Sequence, residues 1–375
     1  MFKKLFKNYI YPVATLSGTI IGVGLFSLPY ITSKVGVWIM LAYFLVLGIL
    51  VIIVHQIFGE LSLKTPDFKR LPGFAKTHLG RKGEVVAYIT TIIGILGSLL
   101  AYLIVGGEFL NSLLSPVLGG NNFIYTIIYF VIGALVIYFG IKAIAKVEFW
   151  GLVLFVIILI AIFFRAQPFL KIENLSFVFD AKYLFLPYGA ILFSLWGATL
   201  IPEVEEMLGS EKRLIKKIIP ISILIPIVVY LFFILLVLGI TGPQTTESAL
   251  TGLKNFLGDG VVSLCLFFGI LTTFTSFIAL GLTLKKVFIF DLGLKKIHAF
   301  IITCFTPAVL FLLGLKSFIL VISFIGGVLL GVDGVLILLM YKKIKPKRSI
   351  LIYSLAVIFL VGIIYELVYF LNKFI

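Results

Sequence analysis

The sequence predicts an all-α integral membrane protein of eleven transmembrane helices, the first and sixth of them broken. Three observations carry that expectation. The composition is too apolar for a water-soluble fold, with 61% hydrophobic and 13% charged residues and a mean hydropathy of +1.22, outside the range of soluble domains. Eleven apolar stretches each approach the ~20 residues that a helix needs to cross a hydrocarbon core. Positive charge, finally, concentrates in alternate connections between them.

The net charge of +15 over 375 residues would suggest a nucleic-acid partner in a soluble protein, so the placement of the charge has to decide. With the amino terminus inside, 24 of the 31 Lys and Arg residues fall in inner segments and 7 in outer ones. This is the positive-inside asymmetry of membrane proteins, and the partner it implies is membrane lipid, not nucleic acid. It places the amino terminus in the cytoplasm and, after eleven spans, the carboxyl terminus outside the cell membrane.

The first span, residues 9 to 33, follows Lys3, Lys4 and Lys7. Such a start resembles a signal peptide, but no small-residue cleavage site follows and glycine and proline interrupt the apolar run, so a retained helix is expected. Within it Gly18, Gly22 and Gly24 precede Pro29. The second span is residues 35 to 61, the third 85 to 114, the fourth 122 to 141 and the fifth 147 to 165. The sixth, 182 to 208, is interrupted like the first: Pro187 and Gly189 are followed by Trp196, Gly197, Ala198, Thr199 and Pro202. Spans seven to eleven are 215 to 240, 260 to 284, 298 to 315, 318 to 341 and 349 to 371. The polar connections 62 to 84, 166 to 181 and 241 to 259 are too short for a second domain, so residues 1 to 375 read as one transmembrane unit. Cys265 and Cys304 lie inside spans without CxxC spacing. They imply neither a disulfide framework nor a metal site, and the histidines add no ligand set.

Glycine and proline weaken a helix interior, and in lipid a freed backbone group costs several kcal/mol unless protein, water or a ligand satisfies it. Single interruptions also serve kinks and close helix packing. Two corresponding ones, five helices apart, are the pattern of an inverted repeat with substrate bound at the membrane midplane. The ends of broken helices suit a zwitterion: free N–H groups meet a carboxylate and exposed carbonyls meet an ammonium. Gly22, Val23 and Gly24 fit the first role, and Trp196, Gly197 and Thr199 the opposite wall. Tyr102 on the third span and Phe193 complete an aromatic lining, although a buried Tyr equally serves helix packing.

The eighth span carries Thr272, Thr273, Thr275 and Ser276. Such hydroxyls can join carbonyls of a broken helix in an oxygen cage for a cation; the alternative is hydrogen bonding back to their own helix. Intramembrane acids are functional candidates by default. Asp333, deep in the tenth span, is assigned to ion coupling. Glu203, Glu205 and Glu206 mark the inner end of the sixth span, pairing with Lys212 or Arg213, and Glu60 and Glu108 lie near span ends.

The segment Gly18 to Pro29 (GTIIGVGLFSLP) resembles the first-helix signature of the amino acid/auxin permease family and the related aromatic amino acid permeases, within the amino acid-polyamine-organocation superfamily. Leu100 to Phe109 (LAYLIVGGEF) resembles the third span of that family, and Phe193 to Met207, with Gly197, Pro202 and Glu205, its sixth. Thr275 to Leu282 (TSFIALGL) is similar to the eighth span of the aromatic permeases. The resemblance implies the leucine-transporter fold, with inverted repeats at about 9–165 and 182–341 and an extra helix at about 349–371. Its implied division is a moving bundle of spans one, two, six and seven against a scaffold of three, four, eight and nine. The chain departs from the pattern at Gly18, where sodium-coupled relatives carry Asn. It also departs in the fifth span, which lacks the Lys of some proton-coupled relatives.

The function expected is therefore secondary active transport, not enzymatic chemistry: cation-coupled import of neutral or aromatic amino acids by alternating access. No cofactor is called for beyond a coupling ion, sodium or proton. The rival is an amino acid-sensing receptor subunit of the same fold, which would bind without moving substrate. No selectivity-filter segment marks a channel.

Overall fold

In a computed structural model, the residues described are 5–66, 69–140, 144–175, 180–257 and 259–374. Among them there are helices and no β-strand. In chain order the elements are α1a (Phe6–Ile20) and α1b (Val23–Val35), then α2 (Val37–Lys64), α3 (Leu71–Leu118), α4 (Asn122–Phe139) and α5 (Ile144–Ala166). The second half comprises α6a (Leu186–Leu195), α6b (Ile201–Leu208), α7 (Ile215–Thr241), α8 (Asp259–Lys286) and α9 (Lys296–Leu312). It ends with α10 (Phe318–Ile344) and α11 (Ser349–Phe374).

These elements match the eleven expected spans. Among the described residues, seven helical stretches are long and apolar enough to cross a membrane, and one of them, Ala181–Gln244, holds both the sixth and the seventh span. The bent pair Phe6–Ile20 and Val23–Val35, turned by 46°, and the shorter apolar helices Val153–Phe169 and Lys296–Leu312 account for the others.

The connection 62 to 84 differs from expectation, because α3 begins inside it. Leu71, Phe74 and Ala75 recur at helical spacing, are buried, and hold the segment against α2 through an edge-to-face contact of Phe74 with Phe58 at 5.3 Å. Gly80, at φ +74, turns that short amphipathic piece into the spanning part, a backbone setting that favours glycine. Gly36, at φ +86, separates α1b from α2 in the same way.

Packing sorts the helices into two groups. The parts of α1, α2, α6 and α7 contact one another, and α3 is packed on α4, α8 and α9, while α10 touches α2, α3 and α6a. The most apolar windows of α3 and α10 are each 72% buried, against 33% for α4 and α11. The former are thus the central helices and the latter face lipid.

Candidate functional site

Both expected breaks are present. In the first, Ile21 (φ −75, ψ 78) and Gly22 (φ −116, ψ −155) leave the helix, with Gly22 N–H donating to the Ile20 carbonyl at 2.8 Å. Val23 and Gly24 then open α1b, where the first N–H groups have no carbonyl one turn earlier to bond. In the second, Trp196 (φ −81, ψ 116) and Gly197 (φ −126, ψ 11) separate α6a from α6b. The α1a and α6a carbonyl ends and the α1b and α6b amino ends converge here, which presents partial charges of both signs to one volume.

Gly22 is glycine for space, since its backbone angles are open to any residue. A Cβ there would overlap the Tyr102 hydroxyl and lie 3.3 Å from Tyr102 Cζ. At Gly24 a Cβ would overlap Ser194 Oγ and lie 3.1 Å from Phe193 Cδ1. At Gly197 it would come within 2.8 Å of Ile20 Cγ1, so the second break rests directly on α1a.

A cavity of about 90 Å³ lies between the breaks. Of the expected substrate residues, Gly22, Gly24, Tyr102, Phe193, Trp196 and Thr199 line it, together with Ser276 and Asp333 from the expected ion set. Val23 and Gly197 belong to the breaks without being among the lining residues: the Val23 side chain is fully buried. Asp333, 3% exposed, accepts a hydrogen bond from Thr90 Oγ1 at 2.5 Å, which joins α10 to α3 across the cavity wall.

A second, smaller cavity of about 30 Å³ is lined by Gly18, Ile21, Gly151, Phe155, Leu271, Thr272, Thr275 and Ser276. It holds the expected hydroxyl cluster of α8 against the broken end of α1a. Thr272 Oγ1 donates to the Gly269 carbonyl at 3.1 Å and Thr275 Oγ1 to the Thr272 carbonyl at 3.1 Å, the back-bonding weighed above. A hydroxyl that donates to its own helix still has lone pairs free to accept.

Two side chains that sequence reasoning passed over hold the breaks in place. Tyr230, fully buried on α7, approaches the Ile20 carbonyl at 2.6 Å and the Ser194 carbonyl at 2.8 Å. One hydroxyl thus staples the exposed carbonyl ends of both half-helices. His55, fully buried on α2, accepts the Gly197 N–H on Nε2 at 2.9 Å, and its ring packs edge-to-face on Trp196 at 5.0 Å. Because a backbone N–H can only donate, the neutral ring carries its hydrogen on Nδ1. The available signal was uneven: Tyr230 is the one hydroxyl in the apolar run 223–240 of α7, whereas His55 stands beside Gln56 near the end of α2.

At the end where α2 and α6b finish, charge closes the molecule. Arg70 Nη1 lies 3.2 Å from Asp291 Oδ2 and Arg70 Nε 3.9 Å from Glu203 Oε1, tying α6b to the end of α8. Glu205 pairs with Lys212 at 3.6 Å and accepts from the Ser62 hydroxyl. Glu60 is held by Lys64 at 3.0 Å and by the Tyr341 hydroxyl at 2.9 Å.

The sequence matches the tryptophan/tyrosine permease family over residues 7–369. No curated protein is matched. The fold is similar to that of Mhp1, a nucleobase-cation-symport-1 family transporter in a closed conformation with bromovinylhydantoin bound. That likeness has a TM-score of 0.65 at 11% identity, covering 96% of this chain and 90% of that one. It is also similar to MhsT in complex with L-phenylalanine, with a TM-score of 0.62 at 16% identity, covering 96% of this chain and 98% of that one. At these identities the likeness is one of fold, the leucine-transporter fold with its broken first and sixth helices. The family matched is that of the tryptophan/tyrosine permeases, which bears out the expected resemblance to the aromatic permeases.

Proposed function

We propose that this chain, which belongs to the tryptophan/tyrosine permease family and is a secondary amino acid transporter rather than an enzyme, imports large neutral or aromatic amino acids together with a cation. The observation that carries this reading is the cavity between the two breaks, lined by Gly22, Gly24, Tyr102, Phe193, Trp196 and Thr199. The substrate carboxylate meets the amino end of α1b at Val23 and Gly24. Its ammonium meets the carbonyl ends of α1a and α6a, and its side chain lies against Phe193, Trp196 and Tyr102. Among the described residues no charged side chain other than Asp333 lines the volume, which favours a neutral substrate. MhsT, of the same fold, is described with bound L-phenylalanine, in keeping with an aromatic substrate here.

At about 90 Å³ the cavity is below the ~300–1,000 Å³ of ligand pockets, so the walls part to admit an aromatic amino acid. We assign that movement to α1, α2, α6 and α7 against α3, α4, α8 and α9, the two packed groups. The cation site is the second cavity, where Thr272, Thr275 and Ser276 face the carbonyl end of α1a. Asp333 with Thr90 is the acidic member of the ion-coupling set. One cation moving down a 100 mV potential supplies about 2.3 kcal/mol, enough for roughly fifty-fold accumulation of a neutral substrate. The Lys and Arg distribution supports a cytoplasmic amino terminus and an external carboxyl terminus.

The test is uptake of radiolabelled L-tryptophan, L-tyrosine and L-phenylalanine into proteoliposomes, with sodium and proton gradients imposed separately. Accumulation driven by one gradient supports the reading and names the ion. Binding without accumulation under either gradient refutes coupled import and favours exchange or sensing.

A further inference from the structure

Glu366, on α11, is an intramembrane acid with no role in the site described above, and it is 2% exposed. Its carboxyl enters a notch cut by three glycines on two other helices. A Cβ at Gly189 of α6a would lie 2.6 Å from Glu366 Oε1 and would overlap the Ser323 carbonyl oxygen. One at Gly327 of α10 would lie 3.0 Å from Glu366 Cδ, and one at Gly326 would fall 2.8 Å from the Gly189 carbonyl carbon. Gly326 and Gly327 belong to the π-helical turn Ile325–Leu329, an irregularity frequent at functional sites. Beside it, Ser323 Oγ is buried without a hydrogen-bond partner.

One group beside the carboxyl suits its neutral form. The Gly189 amide faces it and can donate to either form, whereas the Ser323 carbonyl, which can only accept, shares the same notch. A protonated carboxyl can donate to a carbonyl where a carboxylate can only repel it. On α2, α6a and α11 the groups in electrostatic reach are the hydroxyls of Tyr43, Tyr188, Tyr365 and Tyr369. On α10 the nearest acid, Asp333, is further along the helix and bonded to Thr90. Among the described residues no Lys, Arg or His forms an ion pair with Glu366. Backbone on two sides leaves space for a proton but not for the six or more oxygens at ~2.3–2.6 Å that a hard cation such as calcium gathers.

The notch also lies behind the substrate cavity. Phe193 and Ser194, one turn beyond Gly189, line that cavity, and so does Ile325, next to Gly326. An ionised carboxyl in this place draws water in and holds α6a off α10 and α11; a neutral one lets the three helices close.

We propose that Glu366 is a proton-binding site, and that its protonation permits α6a to close on α10 behind the bound amino acid. This rests on the transporter reading above and adds a proton to it at a site separate from the hydroxyl cluster of α8.

Two measurements on the purified full-length protein test it. The first is infrared difference spectroscopy after a pH jump, with no substrate present. A carboxylic acid band that titrates in the wild type and is missing in Glu366→Gln is expected; the same band persisting in Glu366→Gln overturns the proposal. The second is L-tryptophan binding against pH, with Glu173→Gln, at an exposed acid outside the site, as control. Apparent affinity in the wild type and in Glu173→Gln should fall about tenfold per pH unit on the alkaline side, the signature of one linked proton. Glu366→Gln should bind independently of pH, and retention of the wild-type slope in that variant also overturns the proposal. A chain that titrates in the infrared but binds no amino acid refutes the substrate reading while leaving the proton site established. If Glu366→Gln does not fold, Gly327→Ala displaces the carboxyl from the notch, and an unshifted titration in that variant counts against the proposal.

Discussion

The hydrogen bond from Gly197 to His55 offers the sharpest test of how the second break is held. His55→Leu keeps the volume roughly filled and removes the acceptor, leaving the Gly197 N–H orphaned at a place with no bulk water. An unsatisfied buried donor costs roughly 1–3 kcal/mol, and in the membrane no solvent is at hand to reduce that figure. When the cavity opens, the break is wetted and the N–H finds water, so the penalty falls on the closed, substrate-holding arrangement. A difference of 1–3 kcal/mol between two conformations weakens apparent substrate affinity by about 5- to 150-fold. The assay is equilibrium binding of L-tryptophan to purified protein, with thermal unfolding measured in parallel. His55→Gln, whose amide oxygen can accept the same N–H, should recover most of the loss. Unchanged affinity in His55→Leu, or a Gln variant as weak as the Leu variant, would refute the view that this bond organises the site.

Three further outcomes are expected. Gly22→Leu should abolish L-tryptophan binding while leaving membrane insertion intact, and Gly22→Ala should bind better in a Tyr102→Phe background, because the hydroxyl it overlaps is then gone; binding isotherms of the single and double variants check this. Thr275→Ala and Ser276→Ala, each made singly, should raise the cation concentration for half-maximal uptake by about 10- to 150-fold if a hydroxyl ligand is worth the ~1.5–3 kcal/mol of a bond to a charged group, read from uptake against cation concentration. Arg70→Ala cuts the link among α6b, Asp291 and the start of α3, so a cysteine placed at Thr199 should be labelled faster by a water-soluble thiol reagent; an unchanged labelling rate would show that other contacts keep that end shut.

Apolar length is a local, additive property, and each of the eleven expected spans overlaps a helix or a broken pair of helices in the structure. The two breaks were legible for the same reason: Gly22 with Gly24, and Gly197 with Pro202, weaken a helix whatever surrounds it. The short helix at the start of α3 was missed because its apolar residues are few and its polar ones many, and only the contact of Phe74 with Phe58 shows what those few are for. Thr272, Thr275 and Ser276 were legible as a hydroxyl cluster. That they face Gly18 and Ile21 across a separate cavity, while Asp333 lies in the main one with Thr90, was not.

What the sequence determined by itself is the membrane class, the order of the spans, the two interruptions and the kinship with aromatic permeases, since each follows from composition or from contiguous segments. What only the tertiary structure decided is how distant polar groups meet. His55 reaches Gly197 across 142 positions, Tyr230 reaches Ile20 across 210, and Glu366 finds its glycine notch on α6a and α10. In a hydrocarbon interior a polar group must find its partner inside the protein, and no local pattern in the chain says which distant backbone atom that partner will be.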